Sequence, residues 1–275
     1  MMDIKTLVRK ALEEDIPITD ITTDSIIPEG MKGRAVLLVK EDCVISGIEI
    51  FSAVFEELGG VDIEFNVGDG DFVPSKTEIA YLRGNLRAVL KGERTALNFI
   101  TLMSGIATQT RKYVEAVEGT GVKIVDTRKT HPLLRLLEKK AVRDGGGFNH
   151  RFSLSDGILI KDNHIAVAGS IKRAIELAKR AHYLLKIEVE VQRLFQIEEA
   201  IEAGADLIML DNMEEEDIRR AIEIVRGRVP IEVSGGVNLE NIRRIAQYKP
   251  NFISVGRITH SPNSVDMSLE VVKRK

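Results

Sequence analysis

Five basic side chains within one stretch of the chain sit where a scaffold would hold them still. Arg128 and Lys129 follow the segment Lys-Ile-Val-Asp-Thr, His150 and Arg151 follow the turn Gly-Gly-Gly-Phe-Asn, and Lys161 closes Gly-Ile-Leu-Ile. Residues 123–164 hold nine Lys/Arg against five Asp/Glu, an excess of four positive charges in a chain whose formal net charge is −3. Two strand ends and one glycine turn that present Arg, Lys, His, Arg and Lys make a concave cationic site. A guanidinium group matches carboxylate or phosphate oxygens with two parallel hydrogen bonds, so the expected ligand is a small polyanion with several such groups. The other cations of the stretch, Arg135 to Arg143, read as a solvated helix face.

The elements that must position these residues begin at residue 123. Apolar strands at 123–126, 158–160, 187–191, 207–210, 231–233 and 252–255 alternate with amphipathic helices. The helices show apolar faces at Ala174, Leu177, Ala178 and Ala181, at Ile197, Ala200 and Ile201, at Ile218, Ala221, Ile222 and Val225, and at Ile242, Ile245 and Ala246. The last four strands recur roughly every twenty residues, the beat of βα units that build a parallel sheet. Polar residues end nearly every strand: Arg128, Lys161, Glu190, Asp211, Ser234-Gly235-Gly236 and Gly256. That pattern favours a closed β/α barrel over an open sheet, with chemistry at the carboxyl ends of the strands and a phosphate near the last loops.

Ahead of this region, Ile4, Leu7, Val8, Ala11 and Leu12 predict an amphipathic helix, and the Thr19–Asp24 cluster a capping loop. Strands are expected at 34–40, 44–46, 61–67 and 78–83, with a helix over 48–58 stopped by Gly59-Gly60. Residues 85–118 read as helical with interruptions near Gly92 and Gly105, and on pattern alone Arg94 there is an ordinary exposed arginine. The mixture suggests a small α+β domain with an open sheet. Asp266 to Val271 alternates like an edge strand that rejoins this first sheet.

Composition bounds the rest. At 275 residues, 44% hydrophobic and 29% charged, the chain is an ordinary globular sequence with room for a substantial core. A pI near 6.0 argues against broad nucleic-acid binding. The single cysteine, Cys43, excludes an intrachain disulfide or a cysteine zinc cluster and reads as a small buried hydrophobe. No apolar run is long enough for a membrane span and the N-terminus lacks the layout of a signal peptide, so a cytoplasmic location is expected.

Taken as a set, the motifs Thr-Asp-Ile-Thr-Thr, Glu-Arg-Thr-Ala-Leu-Asn, Asp-Thr-Arg-Lys-Thr, Gly-Gly-Gly-Phe-Asn-His-Arg, Leu-Ile-Lys-Asp-Asn-His-Ile, Glu-Val-Glu-Val, Leu-Asp-Asn-Met and Ser-Gly-Gly resemble the quinolinate phosphoribosyltransferase family. The resemblance runs in family order over essentially the whole chain. It implies an N-terminal α+β open-sheet sandwich domain at 1–112, to which a tail at 265–275 returns, and an incomplete parallel β/α barrel of six or seven strands at 113–264. It implies transfer of the phosphoribosyl group of phosphoribosyl pyrophosphate to quinolinate with decarboxylation, giving nicotinate mononucleotide, pyrophosphate and CO₂ in de novo NAD biosynthesis. It also implies Mg²⁺ as cofactor and a homodimer, or a hexamer built as a trimer of dimers, with sites shared between subunits.

Carried over by motif, Arg128, Lys129, His150, Arg151 and Lys161 match the pocket for the two quinolinate carboxylates, with Arg94 lent by the neighbouring subunit. Glu190 and Asp211 match the acidic pair near the ribose hydroxyls and Mg²⁺, and Ser234, Gly235, Gly236, Gly256 and His260 match the loops around the 5-phosphate. Lys129 and Lys161 both remain candidates to protonate the decarboxylated ring. Glu188 and His164 stand evenly between site and support. The chain departs from the family's Lys-Thr-Thr-Pro-Gly-Leu-Arg in reading Lys-Thr-His-Pro-Leu-Leu-Arg at 129–135, which removes a glycine's freedom at Leu133. Three rival readings are a Schiff-base aldolase acting through Lys161, the pyrophosphorylase-like paralogue found with molybdenum transport genes, which the full Asn-His-Arg and Lys-Asp-Asn-His-Ile motifs speak against, and a metabolite-binding protein without turnover.

Overall fold

Residues 3–272 are described in the computed structural model, and Met1, Met2 and residues 273–275 of the expected tail lie outside the described residues. The chain divides into two compact units, one of residues 1–109, 132–146 and 262–275, the other of residues 110–131 and 147–261.

The first unit opens with α1 (Ile4–Asp15), where the Asp3 carboxylate caps the Thr6 N–H at 2.8 Å and Val8 and Leu12 are buried. The Thr/Asp cluster is helical, forming α2 (Ile21–Ile26) with Asp20 as its cap. Strands β1 (Lys32–Val39), β3 (Val61–Phe65), β5 (Thr77–Asn85) and β12 (Met267–Val271) form an antiparallel sheet in the order β12-β1-β5-β3. The C-terminal segment does rejoin this sheet, pairing Leu37 with Leu269. Two short strands, β2 (Cys43–Val44) and β4 (Phe72–Val73), pair beside it. Helix α3 (Ile48–Leu58) buries Phe51 and Phe55, whose rings stand 5.2 Å apart, with Phe65 edge-on to Phe51.

Helix α4 (Leu86–Ala116) runs unbroken for 31 residues, against the interruptions expected near its glycines. Those glycines serve close approach. A Cβ on Gly92 would stand 2.7 Å from the Phe55 ring, and one on Gly105 would strike the Asn263 carbonyl. Helix α5 (Arg135–Asp144) also corrects the sequence reading, because Glu138 and Lys139 are buried. Lys140 is held at 2.6 Å by both Asp69 and Asp144. Burial opposes its charge, but those two carboxylates raise its pKa on balance.

The second unit holds six parallel strands: β6 (Lys123–Val125), β7 (Ile158–Ile160), β8 (Ile187–Val191), β9 (Leu207–Asp211), β10 (Ile231–Ser234) and β11 (Phe252–Ser254). Their order is β6-β11-β10-β9-β8-β7. The sheet therefore has two edges, and the closed barrel that the strand-end pattern favoured is replaced by the incomplete one. Helices α6 (Asp162–Ala168), α7 (Ile171–Ala181), α8 (Phe195–Ala203), α9 (Glu215–Val225), α10 (Ile242–Gln247) and the single turn α11 (Arg257–His260) follow the strands. Helix α7 buries Ile171, Ala174 and Ile175, so the face expected at Leu177 and Ala181 is rotated, and Leu177 is exposed. No helix among the described residues is long and apolar enough to cross a membrane.

Candidate active site

Parallel pairing puts the carboxyl ends of β8 to β11 side by side, with Ser234 opposite Asp211 in the ladder. At that end a cavity of about 330 Å³ opens. Its wall includes Arg128, Lys129, His150, Arg151 and Lys161, so the five bases singled out from the sequence converge there. Asp211 and Ser234 line it too.

Each base is placed by backbone contacts. The Lys129 N–H bonds Thr127 Oγ1 at 3.1 Å, and Thr259 Oγ1 donates to the Lys129 carbonyl at 2.7 Å. The buried Asp126 carboxylate accepts from Asn149 Nδ2 at 2.7 Å and from the His150 N–H at 2.8 Å, which anchors the glycine turn to the end of β6. Arg151 Nη1 donates to the Gly157 carbonyl at 2.9 Å. Burial first, then the charge of Arg128, lowers the Arg151 pKa. Arg128 buries an Nε with no partner among the described residues.

Acidic groups floor the same end. Side chains alternate along a strand, so Glu188 and Glu190 of the wholly buried β8 project to one face. Lys161 Nζ contacts Glu190 directly. That pairing explains an acid within a buried strand and removes the apolar surroundings a Schiff-base lysine needs. His150 Nε2 lies 2.9 Å from Glu188 and 3.6 Å from Glu232. His164 Nδ1 accepts the Lys161 N–H at 2.9 Å and steadies the start of α6.

Among the late loops, Gly235 and Gly236 take positive φ of 85° and 63°, conformations open to glycine. Any Cβ on Gly235 would strike the Asn212 side chain. A Cβ on Gly256 would stand 3.3 Å from Lys129 Cδ and from His260 Cδ2, so glycine here lets those two side chains lie close. His260 Nδ1 pairs with Ser261 Oγ at 2.7 Å. Arg94 lies exposed on α4 of the first unit.

Sequence reasoning missed Glu232 and Ser254, which line the cavity from β10 and β11. The signal for Glu232 was an acid between Ile231 and Val233 in a strand read as apolar. His150, Glu188 and Glu232 bring their polar atoms within 4.8 Å of one another. Four Lys and Arg side chains on the same cavity oppose a divalent ion there, so the cluster is read as sharing protons. Asp211 lines the same cavity and Glu190 pairs with Lys161, so a hard cation at these two oxygen donors on neighbouring strands would depend on water and on the substrate's own oxygens to complete its shell.

Comparison with known proteins agrees with this geometry. The family models for quinolinate phosphoribosyl transferase match residues 20–104 with the N-terminal domain and residues 106–270 with the C-terminal domain. A probable nicotinate-nucleotide pyrophosphorylase (carboxylating) of Methanocaldococcus jannaschii is 44% identical over 97% of this chain and 96% of its own. Another of Mycobacterium leprae, named without the qualifier, is 40% identical over 96% of this chain and 95% of its own. The solved nicotinate-nucleotide pyrophosphorylase of Francisella tularensis superposes with a TM-score of 0.95 at 42% identity, covering 98% of this chain and 96% of that one. With both halves matched in order and the basic cluster assembled at the strand ends, the chain belongs to the quinolinate phosphoribosyl transferase family.

Proposed function

We propose that this protein transfers the phosphoribosyl group of phosphoribosyl pyrophosphate to quinolinate and releases the 2-carboxylate as CO₂, giving nicotinate mononucleotide and pyrophosphate for NAD biosynthesis. The observation that carries the reading is the convergence of Arg128, Lys129, His150, Arg151 and Lys161 on one cavity beside Asp211 and Ser234.

The cations take the two ring carboxylates, and their main contribution is to hold the ring nitrogen toward C1 of the ribose. The nitrogen lone pair forms the new bond as the C1–oxygen bond to pyrophosphate breaks, and positive charge develops on the ribose. Glu190 and Asp211 are fixed carboxylates that stabilise that charge. They are also the residues that would hold Mg²⁺ through water and substrate oxygens, and the ion would supply neutralisation of the departing pyrophosphate. Ser234, Gly235, Gly236, Gly256 and His260 receive the 5-phosphate. After transfer the carboxylate leaves as CO₂, the electron pair of the broken bond stays on C2 as an ylide stabilised by the positive charge of the adjacent pyridinium nitrogen, and that pair takes one proton, from Lys129 or Lys161. Arg94 completes the pocket of a neighbouring subunit in a dimer or a trimer of dimers.

The test is release of ¹⁴CO₂ from carboxyl-labelled quinolinate with phosphoribosyl pyrophosphate and Mg²⁺. Release that stops when either co-reactant is omitted supports the reading. Binding of phosphoribosyl pyrophosphate without release overturns it.

A further inference from the structure

Two buried carboxylates beneath one imidazole pose a problem of charge. Glu232 is 2% exposed and Glu188 is 9% exposed, and each keeps one oxygen, its Oε1, buried without a hydrogen-bond partner. The Arg151 N–H donates to His150 Nδ1 at 2.8 Å, which places the ring proton on Nε2. That N–H reaches Glu188 at 2.9 Å, whereas Glu232 at 3.6 Å is beyond a hydrogen bond. The imidazole proton therefore serves Glu188 and leaves Glu232 without it. Ionised together in a water-poor site they would repel, and neighbouring carboxylates in that position share a proton instead.

We propose that Glu232 is a positioning residue held as a neutral carboxylic acid, which keeps the Glu188–His150–Glu232 cluster at a single negative charge and lets the cavity accept a dianionic pyridine dicarboxylate. This rests on the quinolinate reading given above. It assigns Glu232 a role distinct from that of Glu190 and Asp211, which face the ribose.

The surroundings favour the neutral form. Burial first, then the charge of Glu188, raises the Glu232 pKa to about 7, against the opposing pull of the His150 ring, the Ser254 hydroxyl and the Lys161 charge. Ser254 of β11, Arg128, Lys129, Arg151 and Asp211 line the same cavity, Glu190 pairs with Lys161, and Asp126 holds the His150 backbone. The acid is thus poised to ionise near neutrality, and ionisation would place a second negative charge under the substrate. Binding of a dianion and loss of this proton oppose each other, so affinity falls as pH rises through the titration.

The experiment has two arms, on wild type and Glu232→Gln. In the first, infrared difference spectra of substrate-free protein between pH 6 and pH 9 should show a buried carboxylic acid losing its proton, and the band should be missing in the variant. In the second, quinolinate affinity by calorimetry should weaken in the wild type above about pH 7, toward tenfold per pH unit for one coupled proton. The variant should bind at all pH values within roughly threefold of the wild type's acid limb. A merely structural role for Glu232 would leave the pH profile unmoved. Absence of the infrared band, or identical pH profiles in the two proteins, overturns the proposal. A band that titrates as expected in a protein that binds no quinolinate at any pH overturns the substrate reading, and the pocket role of Glu232 falls with it.

Discussion

Leu133 stands where the family's motif has glycine, and it nonetheless adopts the left-handed backbone, with φ +68°. The loop keeps a conformation its residue resists. Replacing Leu133 by Gly and, separately, by Ala measures that resistance. The left-handed region costs a residue with a Cβ about 1–2 kcal/mol, which Leu and Ala share and Gly escapes. Glycine in turn loses about 0.5–1 kcal/mol relative to Ala through the greater freedom of its unfolded chain. Central values leave Leu133→Gly more stable than Leu133→Ala by roughly 0.7 kcal/mol. Because Leu133 is 68% exposed, truncating its side chain removes little packing, and that loss is nearly common to the two variants. For a chain of this size the difference is about 1 °C in Tm, read by thermal unfolding at one protein concentration. An alanine variant that melts at or above the glycine variant would refute the strain argument.

Arg128→Ala should weaken quinolinate binding by about 1.5–3 kcal/mol, roughly tenfold to 150-fold, if one charge-assisted contact is lost; calorimetry showing unchanged affinity would remove Arg128 from the pocket. Mixed oligomers of Arg94→Ala and Lys161→Ala subunits should regain part of the activity that each variant lacks, because some sites would then join an intact Arg94 to an intact Lys161. Mixtures as inactive as their components would end the shared-site proposal. Burial, helped by the charges of Glu41 and Asp42, pushes the Cys43 thiol up to about 11, so a disulfide reagent at pH 8 should leave the native protein unlabelled and react once it is unfolded. Rapid labelling of native protein would contradict that burial.

What the sequence disclosed and what it hid separate along physical lines. The strands of the second unit were legible because runs such as Ile187–Val191 are buried on both faces, and the bases that follow them interrupt an apolar pattern at its end. The strand-end rule located Arg128, Lys161, Asp211 and Ser234, but it carries no information on closure, which depends on whether β6 and β7 meet. Glycine was the least readable residue. At Gly92 and Gly105 it looks like a helix break, yet the helix continues because Phe55 and Asn263 need the space a side chain would fill. The reverse holds at Leu133, where a side chain is tolerated in a glycine conformation. Glu232 was hidden for a related reason, since a lone acid in an apolar strand acquires its meaning from Glu188 and His150, which lie 44 and 82 positions away in the sequence and within 4.8 Å in space. Local pattern thus reports the side chains that meet the site singly, while the charge state of the site is set by acids that only folding brings together.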